Sequence, residues 1–132
     1  VADLTPEEIA LGVRAVKAGW RFELGDVIRW WWVDTPNDIR GPFVGREVSG
    51  DKWDPCSTRI PDVTARSFVS AALAQVRERV GRRCNIYCGD DADGSDEWAV
   101  WLGTGGHHGW APPGRTEAEA VVAALEATRW SP

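Results

Sequence analysis

The sequence predicts an α+β fold: an antiparallel sheet with about three helices packed on it, in one compact domain. Three observations carry this expectation. Two segments open with helix-start signals, Thr5-Pro6-Glu7-Glu8 and Thr116-Glu117-Ala118-Glu119. A third carries apolar residues at helical spacing, Phe68, Ala72, Leu73, Val76 and Val80. Between them run short aromatic and β-branched stretches bounded by Gly, Pro and Asp, which read as strands joined by short turns.

Along the chain, a helix is expected over about residues 6–18, with Ile9, Val13 and Val16 on one face and Gly19 as a left-handed stop. Gly25-Asp26 reads as a turn and Val27 to Val33 as a strand, with Phe43 to Val48 as its partner. Residues 1–48 thus form a helix plus strands. Residues 49–64, with two prolines and a glycine, are expected to be irregular, with Trp53 as a plug. Residues 65–132 read as an α-β-β-α unit. It opens with a helix over 65–80, capped by Asp62 or Thr64 and ended by Gly81. A hairpin of 83–88 and 97–102 follows, then a helix over 117–129 with Val121, Val122 and Leu125 inward.

Composition bounds the function. The 132 residues carry 15 basic and 20 acidic side chains, a net charge of −5, and acidic residues outnumber basic ones in both halves. Binding along a phosphate backbone is therefore disfavoured. All basic residues but Lys17 and Lys52 are Arg. No apolar run is long enough for a membrane helix and no signal peptide is evident. Three cysteines are too few for a secreted disulfide framework, so a cytoplasmic setting is expected.

Cys56, Cys84 and Cys88 with His107 and His108 invite a zinc hypothesis. Spacing opposes it, because Cys84 and Cys88 on one strand stand about 13 Å apart at roughly 3.3 Å per residue. If residue 88 pairs with 98, then Cys84, Ile86, Cys88, Trp98, Val100 and Leu102 form one apolar face, and both cysteines read as core. No metal and no cofactor are expected. The acidic run from Asp90 to Glu97 lacks both anchoring carboxylates of a calcium loop and reads as a solvated hairpin tip. No nucleophile relay, phosphate loop or paired catalytic carboxylates stand out, so no enzyme activity is expected.

The nine tryptophans include the consecutive triplet Trp30, Trp31 and Trp32. On a strand, such a triplet sends rings to both faces. Large rings on loops or facing outward suit contact with a partner. The candidate partner-binding residues are therefore Trp31, Trp53 and Trp110, with Asp90, Asp91 and Asp93 as rim charges.

Two stretches carry a resemblance. Gly19-Trp20-Arg21-Phe22-Glu23-Leu24-Gly25-Asp26-Val27 is similar to a sequence style of small uncharacterised bacteriophage and prophage proteins. Trp98-Ala99-Val100-Trp101, followed by Thr116-Glu117-Ala118-Glu119-Ala120, resembles their ABA-sandwich (α-β-β-α) domains. The resemblance implies a phage accessory protein that binds a host or phage protein, a defence nuclease among the candidates, in the manner of anti-CRISPR inhibitors. Two other readings stand beside it: a self-associating protein with a Trp-rich homodimer interface, and a carbohydrate-binding module lined by Trp31, Trp101 and Asp34.

Overall fold

The computed structural model describes residues 4–23, 25–35, 37–47, 57–81, 83–90, 93–103 and 109–129. They form a compact α+β fold of three helices and two antiparallel sheets, where the sequence suggested one sheet. Helix α1 (Pro6–Lys17) starts at a complete capping box: the Glu8 amide donates to Thr5 Oγ1 at 3.2 Å, and the Thr5 amide donates to Glu8 Oε1 at 2.8 Å. Its inward face is Leu11, Gly12 and Ala15, whereas Val13 and Val16 are exposed. The small face allows close approach to the first sheet: a Cβ at Gly12 would lie 2.7 Å from Ile60 Cδ1.

The first sheet has the order β2-β1-β3, with β1 at Val27–Thr35, β2 at Asp38–Arg46 and β3 at Ser57–Pro61. Strand β3 corrects the expectation of an irregular 49–64 segment. Thr58 and Ile60 are β-branched, and Pro61 sits at the end of an edge strand, where its missing N–H interrupts no ladder. Below the aromatic triplet, β1 is buried on both sides. Ile28 and Arg29 are 0% and 4% exposed, and Arg29 Nε donates to Asp62 Oδ2 at 2.9 Å. Burial alone would push the Asp62 carboxyl up, but Arg29 and the Thr64 hydroxyl and amide pull it below its ordinary value.

Helix α2 (Phe68–Val80) begins at the first residue of its apolar stripe, three residues later than the start at 65 expected from a cap at Asp62 or Thr64. Asp62 is spent on a turn, accepting from the Thr64 amide at 2.9 Å, and Ser67 occupies the N-cap without a side-chain bond. Gly81, at φ 70°, closes the helix. Helix α3 (Glu117–Ala127) is the centre of the molecule: Ala120 to Leu125 are all buried, and it packs on α1, α2 and the hairpin strand β5. Thr116 caps it, while Glu119 turns to the Arg115 amide at 2.7 Å instead of completing a capping box.

The second sheet is the hairpin of β4 (Asn85–Asp90) and β5 (Asp96–Trp101). Its register, Cys88↔Trp98 and Ile86↔Val100, is the one its apolar alternation predicts. Cys84 and Val100 are fully buried in a core shared with Phe68, Val76, Val121 and Leu125. Residues 109–114 then return along the free side of β5. The Ala111 amide donates to the Val100 carbonyl at 2.9 Å, and Trp98 and Gly114 exchange bonds of 2.8 Å.

Candidate functional site

Because Ile86 and Val100 face the helices, the alternate residues Tyr87, Gly89, Glu97, Ala99 and Trp101 occupy the outer face of the hairpin. A bridge between Trp101 and Trp110 brings Trp110 onto that face. Its ring meets Trp101 edge-on at 5.0 Å and 66°, and Tyr87 at 5.7 Å and 76°, within the range of favourable aromatic pairs. Tyr87 and Trp110 remain 50% and 52% exposed. Beside them opens a groove of about 380 Å³. Gly89 and Ala99 are its small residues, Tyr87, Trp110 and Pro113 its larger walls, and Glu97 its carboxylate.

The charge lining the groove is negative, the Glu97 carboxylate. Asp90 faces Asp96 across the last register pair of the hairpin, and Glu97 follows. None of the three makes an ion pair among the described residues. The neighbouring Cys88 thiol is pushed up, first by desolvation and then by Asp96 and Asp90. Asp93, in contrast, is committed to the hairpin tip. It accepts from the Ser95 amide at 3.0 Å and hydroxyl at 2.5 Å, bonds that pull its carboxyl down, and it lies 3.9 Å from Arg115.

The residues singled out by sequence therefore separate. Trp110 lies in the groove, whereas Asp90, at the end of β4, alternates with Gly89 and belongs to the other face of the hairpin. Trp31 sits half-buried on β1 in the other sheet. Trp53 and Asp91 lie outside the described residues, as do Cys56, His107 and His108. Tyr87, Glu97 and Ala99 were not singled out, although the predicted hairpin register already placed all three outward. The proximity of Trp110 had no such signal, because it depends on residues 109–114 docking along β5.

Cys84 is core, as expected, but Cys88 is exposed, which corrects the pairing of the two as core residues. Cys88 is two residues from the end of β4, where the neighbouring Gly89 and Asp90 are exposed as well. Among the described residues no group of three or more His, Cys, Asp or Glu is placed to hold a metal ion, and no helix is long and apolar enough to cross a membrane. Comparison with protein-family models, with curated proteins and with solved structures finds no match to this chain.

Proposed function

We propose that this is a non-enzymatic binding protein that docks a protein partner through the aromatic groove of the β4–β5 hairpin. One observation carries the reading: two large rings, Tyr87 and Trp110, are half exposed yet held edge-to-face beside a concave surface. Rings fixed in this way lose little conformational freedom on binding and can still bury large area, the combination found at binding hot spots. That the partner is a host or phage protein, and the chain a phage-type accessory protein or anti-CRISPR-like inhibitor acting in the host cytoplasm, rests on the sequence resemblance alone. The test is cross-linking in host lysate followed by mass spectrometry, with the wild-type chain beside Trp110→Ala and Tyr87→Ala. A partner held by the wild type and lost by both variants is expected; an unchanged set of captured proteins would reject this surface.

Self-association is a second reading, favoured by a different observation. Ile39, Phe43 and Val44 on the edge strand β2 are 57%, 41% and 50% exposed. Light scattering decides it, since a dimer that dissociates on Val44→Lys would assign those side chains to a homodimer interface.

A further inference from the structure

We propose that the hairpin groove is a receptor for a guanidinium, so that the partner inserts an arginine side chain between the Tyr87–Trp110 wall and Glu97. This rests on the protein-binding reading above and names the chemistry that the groove would select.

The shape of the groove comes first. Gly89 and Ala99 are the small outward residues of the hairpin, and a Cβ built on Gly89 meets nothing within 4 Å. The slot is therefore open, and beside it stand the rings of Tyr87 and Trp110. A flat, weakly hydrated cation suits such a slot, because it can stack on a ring face that an ammonium would meet only as a point charge.

Charge comes second. Glu97 lines the groove, is half-buried and has no ion-pair partner among the described residues. Its carboxylate can accept two parallel N–H bonds from a guanidinium. Asp90 and Asp96 alternate with Gly89 and Glu97 and so belong to the other face of the hairpin, which leaves Glu97 as the groove's own charge. Arg115 is turned to the hairpin tip, bonded to the Ser95 hydroxyl and facing Asp93. An uncharged apolar segment would have to bury Glu97 without a counter-charge, which is costly. A sugar could stack on the same rings, but it would leave the carboxylate charge uncompensated.

The experiment uses the full chain and three probes: acetyl-Gly-Arg-Gly-amide, the same peptide with citrulline, and methyl glucoside. Binding is read from the indole N–H resonances of Trp110 and Trp101. The arginine peptide is expected to shift both saturably, with citrulline at least about tenfold weaker because it keeps the shape but loses the charge. Glu97→Gln should weaken the arginine peptide by a similar factor, and raising the salt should weaken it further. Ala99→Leu should fill the slot and abolish the shifts, with unchanged circular dichroism showing an intact fold. Equal binding of citrulline, equal or stronger binding of the glucoside, indifference to Glu97→Gln, or no shift with any probe would overturn the proposal. Each of these outcomes leaves Trp110-dependent capture of a protein partner as a separate result, so the two readings fail independently.

Discussion

In β1, Trp30, Trp31 and Trp32 are all half-buried, while on the hairpin Tyr87 and Trp110 stand half in solvent. Both regions combine large rings with small neighbours, but they use them differently. A Cβ on Gly45 would lie 3.2 Å from Trp30 Nε1, and one on Gly41 would lie 3.2 Å from Trp31 Cδ1. The glycines of β2 are thus seats already taken by rings, and Trp30 also packs on Phe43 at 4.7 Å between centroids. On the hairpin, the small residues Gly89 and Ala99 border an open groove, and the rings lean on one another beside it. A ring seated on a glycine stabilises its own sheet; a ring beside an unfilled small residue offers a surface to something else.

The sharpest way to break this contrast is at the buried base of β1. Arg29→Ala would strand the Asp62 carboxylate, and a loss of about 3–5 kcal/mol is expected in urea denaturation. The same pair sets a pH dependence. Since the Asp62 carboxyl is lowered in the fold, its contribution is complete above the ordinary value of 3.8 and is lost as pH falls through the lower native value. Asp62→Asn should therefore flatten the acid limb of the stability curve. An unchanged limb would assign acid sensitivity to other groups.

Next in size is a paired test of filled and empty seats. Gly41 has φ 123° and leaves only 2.8 Å between a new Cβ and the Trp30 carbonyl oxygen, so Gly41→Ala should cost about 1–3 kcal/mol. Gly89→Ala meets open space and should change stability by no more than about 0.5 kcal/mol. Equal costs by thermal melting would contradict the contrast.

The two described cysteines give a third test. Cys84→Ser places a hydroxyl in apolar core and should cost about 1–3 kcal/mol, while Cys88→Ser should be nearly neutral. Peptide mapping after alkylation should find Cys88 modified in the folded protein and Cys84 only after unfolding. Cys88 should react more slowly than an ordinary exposed thiol at neutral pH, because its raised pKa leaves less thiolate. At the site itself the effect on stability is expected to be small. Trp110→Ala should cost less than about 1 kcal/mol in denaturation while removing partner binding, and a large loss of stability would make Trp110 a structural residue.

What was legible in the sequence follows local rules. The capping box at Thr5, the stops at Gly19 and Gly81, and the hairpin register all rest on contacts between near neighbours or on strict alternation. The buried face of α1 departs from its apolar spacing because it is chosen by what it packs on. Gly12 and Ala15 face inward because Ile60 and α3 come close, not because they are the most apolar positions. Strand β3 was hidden by its proline, since only its place at a sheet edge makes Pro61 harmless.

By itself, then, the sequence determined the α+β class, two of the helix starts, the hairpin and its inward face, because periodicity and capping are written within a few residues. Tertiary structure alone decided that there are two sheets, that Trp30 and Trp31 settle over Gly45 and Gly41, and that residues 109–114 return along β5. Those outcomes join positions distant in the chain. The proposed site depends on the last of them, for Trp110 reaches Tyr87 only once its segment has found the open side of β5.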